Sequence, residues 1–248
     1  MRRVKVGGWN VAFVERGPID APAIVTLHGF IISQRYMAPL AERLAPRFRV
    51  LSPDLPGFGR SDKPREVLSI AQLGDALVAW MDAVDLPRAH LVGNSMGCQV
   101  ALAAAERHPA RVDRLVLIGP TTDPHTRTVP QQAALLAYDM LGEKPSLPLA
   151  HVPDYLRVTP RRYLKTLEHV MRDRPEERAP RVAAPTLILR GSKDRLVSQR
   201  FVEELAARMP DARVEVLPGA PHAANYSAPD ATAAATLRFL PQGSSIGG

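Results

Sequence analysis

Cysteine is almost absent from this 248-residue chain: Cys98 stands alone, so no disulfide can close within it. At the start of an alanine-rich stretch, that cysteine reads as a small packed residue. No run of 18 or more apolar residues occurs, which leaves no candidate for a membrane-spanning helix. The segment Met1-Arg2-Arg3-Val4-Lys5-Val6-Gly7-Gly8 lacks the apolar core of a secretory signal, so a cytoplasmic location without a membrane partner is expected. Aromatic residues make up only 5%, and none interleave with a basic tract. The formal charge of +7 and pI near 10 therefore do not point to nucleic acid: the 32 basic residues are spread along the chain among 25 acidic ones. The positive excess would instead draw an anionic substrate toward a site. What the chain does have is 46% hydrophobic residues, enough at this length to bury one large core.

The pentapeptide Gly93-Asn94-Ser95-Met96-Gly97 follows the apolar run His90-Leu91-Val92 and precedes the stretch Val100 to Arg107. This is G-x-S-x-G between a strand and a helix. A serine on so sharp a turn presents its hydroxyl outward, and the helix N-terminus behind it aims unpaired N–H groups where an oxyanion would form. Ser95 is the candidate nucleophile.

A serine hydroxyl needs a base, and the base needs an acid to orient it. Of the seven histidines, His222 lies in Pro218-Gly219-Ala220-Pro221-His222, a turn-rich loop directly after the alternating run Arg213-Val214-Glu215-Val216-Leu217. His108 precedes a proline at a helix end, His90 opens the strand leading to Ser95, and His125, His151 and His169 fall in an irregular middle region. The acid should also follow a strand. Asp194 does so in Gly191-Ser192-Lys193-Asp194, after Thr186-Leu187-Ile188-Leu189, and Asp123, past the run Arg114 to Ile118, is the alternative. Nucleophile, acid and base then run in the order Ser95, Asp194, His222.

Taken together with Leu27-His28-Gly29-Phe30 and Asp54-Leu55-Pro56-Gly57-Phe58-Gly59-Arg60-Ser61-Asp62, these segments make the chain resemble the α/β-hydrolase superfamily from about Val11 to Leu240. The resemblance implies an oxyanion hole of the backbone N–H groups of Phe30 and Met96, with His28 tying down the loop that carries Phe30. It implies no cofactor and no metal. The partner it implies is a small-molecule acyl substrate, processed through an acyl-enzyme; monomer or homodimer stays open.

Alternation of strands and helices predicts an α/β fold with a mostly parallel central sheet flanked by helices. Strands are expected at 4–6, 11–15, 23–27, 49–52, 89–92, 114–118, 186–189 and 213–217, and helices at 36–44, 70–84, 96–107, 201–209 and 230–239. The stretch 120–185 breaks the pattern and holds ten of the 24 prolines. Helical periodicity at 131–141 and 161–171 predicts a small helical lid there, inserted into a core of 1–119 and 186–248, and the resemblance sets it over the serine. Its apolar residues, among them Leu135, Tyr138, Leu141, Tyr155, Tyr163 and Leu164, would form the lid's own core and touch substrate. Between Arg157 and Arg181 lie eight basic and four acidic residues, a solvated face or a site for a carboxylate-bearing substrate.

The expected reaction is hydrolysis of a carboxylic ester, with activity falling as pH drops through a histidine pKa near 6.5 if that group is unperturbed. Thioesters, lactones and amides share the same acyl transfer. The serine turn also looks like that of carbon-carbon bond hydrolases, although Phe30-Ile31-Ile32-Ser33 departs from their glycine-rich run. Serine rather than aspartate at position 95 sets the chain apart from the superfamily's epoxide hydrolases and haloalkane dehalogenases. A non-catalytic small-molecule receptor on the same fold is the reading from another class.

Overall fold

The computed structural model describes residues 1–241. In chain order the elements are β1 (Arg2–Val6), β2 (Trp9–Arg16), β3 (Ala23–Leu27), α1 (Ala38–Leu44), β4 (Arg49–Pro53), α2 (Ile70–Ala83), β5 (Ala89–Asn94), α3 (Met96–Arg107) and β6 (Val112–Ile118). Then follow α4 (Val129–Met140), α5 (Ser146–Tyr155), α6 (Pro160–Arg172), α7 (Pro175–Arg178), β7 (Thr186–Gly191), α8 (Gln199–Ala207), β8 (Ala212–Leu217), α9 (Ala224–Ser227) and α10 (Pro229–Phe239). The strands form one sheet in the order β1-β2-β4-β3-β5-β6-β7-β8. Only β2 runs against its neighbours; every pairing from β4 to β8 is parallel. This is the mostly parallel, two-sided architecture expected from the sequence.

Period-two alternation sends successive strand residues to opposite faces, and here both faces are apolar. Val25, Leu91, Leu115, Leu117 and Ile188 join one buried cluster with Leu73, Leu77, Trp80, Val100 and Phe201, so α2, α3 and α8 cover that face. Ile24, Val92, Val116, Ile118, Leu187 and Leu189 join the other, with Leu40, Leu44 and Phe239 of α1 and α10. At about 2 kcal/mol for each such aliphatic chain taken from water, the strands cannot leave either face bare. Thr26 and Ser52 are polar exceptions: fully buried, their hydroxyls share a 2.6 Å hydrogen bond across β3 and β4.

α2 shows how local sequence starts an element. Ser69 and Gln72 form a reciprocal capping box: the Ser69 hydroxyl accepts the Gln72 N–H at 3.3 Å, and Gln72 Oε1 accepts the Ser69 N–H at 2.9 Å. Leu73, Leu77, Trp80 and Met81 then recur at helical spacing and are all buried.

Residues 120–185 carry α4 to α7, inserted between β6 and β7. The two helices read from periodicity are present as α4 and α6; α5 and α7 were not anticipated. In α5, Pro148 stands in the first turn, where its missing N–H has no partner to lose, and Pro153 lies inside the helix near its end. Proline density thus disguised a helix. The expected helix at 36–44 is likewise split: Gln34–Met37 is a 3-10 turn, and the α-helix starts only at Ala38, with Pro39 in its first turn. Among the described residues no helix is long and apolar enough to cross a membrane.

Candidate active site

Ser95 sits between the end of β5 and the start of α3 with φ 56° and ψ −121°, a conformation that L residues rarely adopt. The flanking glycines make it possible. A Cβ on Gly97 would stand 2.3 Å from the Leu27 carbonyl oxygen, and one on Gly93 would stand 2.5 Å from the Gly97 carbonyl carbon. The turn is therefore pressed against the end of β3, which brings the N-terminus of α3, with the buried Met96, beside the His28-Gly29-Phe30 loop. The Ser95 N–H donates to the Ile118 carbonyl at 3.1 Å, joining the turn to the end of β6. Ser95 itself remains half-buried.

His28 is wholly buried and bonded on both sides. Its Nε2 accepts the Leu55 N–H at 3.1 Å, and Nδ1 faces the Gly29 carbonyl at 2.9 Å, the pattern of a neutral ring with the proton on Nδ1. Burial lowers its pKa, which suits that role as a fixed strut for the loop. The Phe30 ring packs edge-on to Tyr163 of α6, with centroids 5.2 Å apart.

His222 and Asp194 meet. The His222 Nδ1–H donates to Asp194 Oδ2 at 2.9 Å, and Asp194 Oδ1 accepts the N–H groups of Leu196 and Val197, each at 2.9 Å. With Nδ1 protonated, the Nε2 lone pair is free, and Nε2 has no hydrogen-bond partner among the described residues. The pair lies beside the end of β6: a Cβ on Gly119 would stand 2.9 Å from His222 Nδ1 and 3.0 Å from Asp194 Oδ2. Burial of His222 works to lower its pKa. The charge and hydrogen bond of Asp194 outweigh that, with smaller help from Asp139 and Glu143, and hold it up at about 9.

Asn94, next to the serine, binds the parts together. Its Nδ2 donates to the Ile118 carbonyl at 3.0 Å and to the His222 carbonyl at 3.1 Å, while its Oδ1 accepts the Tyr36 hydroxyl at 2.7 Å. The alternative acid, Asp123, is engaged elsewhere: its Oδ1 accepts the His125 N–H, and its Oδ2 accepts the hydroxyl of Ser198, the cap of α8.

The inserted helices rest on this end of the sheet. Asp154 of α5 accepts from Ser33 Oγ at 2.7 Å and from Arg35 at 3.1 Å, and pairs with His151 at 3.2 Å; Gln99 of α3 donates to the Val170 carbonyl of α6 at 3.0 Å. The His151 ring meets Tyr36 edge-on at 5.6 Å. Sequence reasoning passed over Tyr36, Asn94, His151 and Asp154, whose partners lie up to 128 positions away. Of these, only Asn94, inside the pentapeptide, carried a local signal.

Many of the basic residues of the insertion have partners in the fold. Arg162, buried, donates to the Pro64 carbonyl at 2.6 Å, Arg178 grips Glu106 and Asp173, and Arg161, Lys165 and Arg172 pair with Glu66 and Glu168. Cys98 is fully buried with its thiol on the Gly93 and Ile118 carbonyls; burial pushes that thiol up, so it is an inert packing residue. No cluster of three or more metal-ligating side chains occurs among the described residues.

Known proteins resemble this chain over nearly its whole length. A protein of Caulobacter sp. (strain K31) named "Putative carbamate hydrolase RutD" is 31% identical over 251 positions, covering 92% of this chain and 94% of that one. The 2-(acetamidomethylene)succinate hydrolase of Mesorhizobium japonicum is 27% identical over 267 positions, covering 96% and 94%. Among solved structures, Est816, described as an N-acyl homoserine lactone degrading enzyme, superposes with a TM-score of 0.83 over 96% of this chain and all of its own, and at 23% identity it shows the shared fold. The family model described as "Alpha/beta hydrolase family" matches residues 24–235, and the chain belongs to that family.

Proposed function

We propose that the protein is a serine hydrolase of acyl compounds in which Ser95, His222 and Asp194 act as a triad. The observation that carries the reading is the His222–Asp194 hydrogen bond of 2.9 Å with Nε2 left unbonded, beside a serine held at φ 56° on a helix N-terminus. His222 Nε2 takes the proton from Ser95 Oγ as it attacks the substrate carbonyl. The N–H groups of Phe30 and Met96 receive the oxyanion, which costs no reorganisation because the loop and the helix are already in place. The tetrahedral intermediate collapses as the imidazolium returns the proton to the leaving group. Water then attacks the acyl-enzyme through the same base, releasing the acid and restoring Ser95. Residues 120–185 serve as a lid over this end of the sheet, and no cofactor enters any step.

A carboxylic ester is the first substrate class, cleaved as by a carboxylesterase. The second is an acyl–nitrogen bond, favoured because the relatives aligned over nearly the whole chain are named for a carbamate and an acetamido compound. The test is hydrolysis of p-nitrophenyl esters of increasing chain length and of matching anilides, run beside Ser95→Ala. Turnover that vanishes in the variant supports the triad, and the ester-to-anilide ratio decides between the classes. A folded wild-type protein that neither turns over any of these nor reacts with a serine-directed fluorophosphonate refutes the hydrolase reading and favours a receptor.

A further inference from the structure

Two acidic residues of the insertion reach the loops that carry the acid and the base. Asp139 stands at the end of α4 and Glu143 in the turn after it, four positions on, and both are buried, at 2% and 8% exposure. Asp139 Oδ1 accepts the N–H of Arg195, the residue after Asp194, at 3.0 Å. The same contact is reinforced by the Arg195 guanidinium, which donates to the Tyr138 carbonyl at 2.6 Å and stacks 3.6 Å over the Tyr138 ring. Glu143 Oε1 accepts the N–H of Ala223, the residue after His222, at 2.6 Å, while Oε2 accepts the Ser227 hydroxyl. The Ser227 oxygen in turn accepts the Lys144 N–H at 3.4 Å. His222 is thus held through its own carbonyl by Asn94 and through the next N–H by Glu143.

Capping two backbone N–H groups does not require two buried carboxylates. Neutral amides would do so without the desolvation cost of charge, which amounts to several kcal/mol per ion even after relaxation. The negative charge has a use, however, on the same side of the site as an imidazole that must become an imidazolium in every catalytic cycle. The charged groups that act on His222 are Asp194 from the β7 loop and Asp139 and Glu143 from the insertion, and Tyr36, from the segment after β3, is linked to it through Asn94. Arg190 and Arg195 flank Asp194, with Arg190 Nη2 on the Asp194 carbonyl at 2.8 Å. Burial, followed by the charges of Glu143, Asp139 and Asp194, raises the Tyr36 phenol well above its ordinary value, which keeps it a neutral donor to Asn94. Burial likewise raises the Glu143 carboxyl, against the pull of its hydrogen bonds from Ser227 and Ala223.

We propose that Asp139 and Glu143 are positioning residues through which the seated lid holds the acid and base of the active site, Asp139 by gripping the Asp194–Arg195 backbone and Glu143 by gripping the His222–Ala223 backbone. Seating of the lid and competence of the base are then one event: if α4 lifts, both grips release and His222 loses two negative neighbours. The inference rests on the serine-hydrolase reading.

The experiment compares wild type, Glu143→Gln, Asp139→Asn and Glu143→Ala in the rate constant for modification by a fluorophosphonate between pH 6 and 10. That readout needs the nucleophile and base but no knowledge of the substrate, and thermal unfolding is recorded beside it. The amide variants remove the charge and retain an acceptor for the Ala223 or Arg195 N–H; Glu143→Gln also turns the acceptor facing the Ser227 hydroxyl into a donor, whereas Asp139→Asn leaves that contact intact. Their plateau rate should stay within about threefold of wild type while the acid limb moves down by roughly half a pH unit or more. Glu143→Ala removes the grip as well, and its plateau should fall by about tenfold or more. If Glu143→Ala does not fold, the acid limb of the amide variants decides. Wild-type rates and an unmoved limb in all folded variants would overturn the inference while leaving the triad intact. A wild type that does not react at all would overturn the hydrolase reading, and this inference with it.

Discussion

Replacing Asp194 with asparagine should move the pH dependence of the enzyme as well as lower its rate. In the wild type the imidazole of His222 is raised from 6.5 to about 9, because the Asp194 carboxylate and its hydrogen bond, with Asp139 and Glu143 behind them, outweigh burial. That rise corresponds to about 3 kcal/mol in favour of imidazolium in the folded protein, at ~1.4 kcal/mol per pH unit. The reacting base is the neutral form, so kcat/KM should climb about tenfold per pH unit and level off only near pH 9, well above the 6.5 expected of an unperturbed histidine. Stability has the opposite dependence: the contribution is fully present below the unfolded pKa of 6.5 and is lost as pH rises through about 9. In Asp194→Asn the burial of His222 is left without its nearest counter-charge. The acid limb should fall below 6.5, the pH-dependent stability should largely disappear, and the plateau kcat should drop by a factor on the order of 10⁴, because the tautomer is no longer enforced. The assay is kcat/KM for a p-nitrophenyl ester from pH 5 to 10, corrected for spontaneous hydrolysis, with thermal unfolding at the same pH values. A limb that stays near pH 9 in the variant would show that Asp194 does not set the base, and a wild-type rate independent of pH from 5 to 8 would remove His222 from that role.

Two other substitutions test the surroundings. Gly119→Ala would set a methyl 2.9 Å from His222 Nδ1 and 3.0 Å from Asp194 Oδ2 at a residue with φ 55°, so steady-state kinetics should show kcat lowered by about 100-fold with KM little changed; an unchanged kcat would mean the pair tolerates displacement. For Asp154, burial works to raise the carboxyl, but hydrogen bonds from His151, Ser33 and Arg35 and the Arg35 charge hold it down at about 2, from 3.8. The charge therefore stabilises the fold by about 2 kcal/mol above pH 3.8, an amount lost as pH falls toward 2. Asp154→Asn should accordingly lower Tm at pH 7 by roughly 4–8 °C and by much less near pH 2, as read by calorimetry.

Much of this protein was legible in its sequence, and the legible parts share one property: the physics behind them is local. The alternation of Ile24 and Val25, or of Leu115 to Ile118, specifies a two-faced strand without reference to any distant residue. Gly93 and Gly97 announce a turn that no other residues could make, and Ser95, Asp194 and His222 each follow a strand end. The histidine and the aspartate are 28 positions apart, yet β7 and β8 pair in parallel register, so the loops after them emerge side by side. α5 had no such local signal: Pro148 and Pro153 interrupt its stretch, yet the helix forms, since proline is harmless in a first turn and packing can outweigh one lost bond. Residues whose roles come only from partners gave no signal at all. Nothing in the neighbourhood of Asp139 or Glu143 indicates that each meets a backbone N–H beside the acid or the base, 56 and 80 positions further along the chain. Those contacts exist because the insertion folds back over the strand ends, and a side chain's pKa or its grip on a loop depends on what stands within a few ångströms in space. The sequence by itself determined the strands, the turn at Ser95 and the placing of Asp194 and His222 after later strand ends. Tertiary structure alone decided that His222 is raised to about 9 and that the insertion holds the loops on which Asp194 and His222 stand.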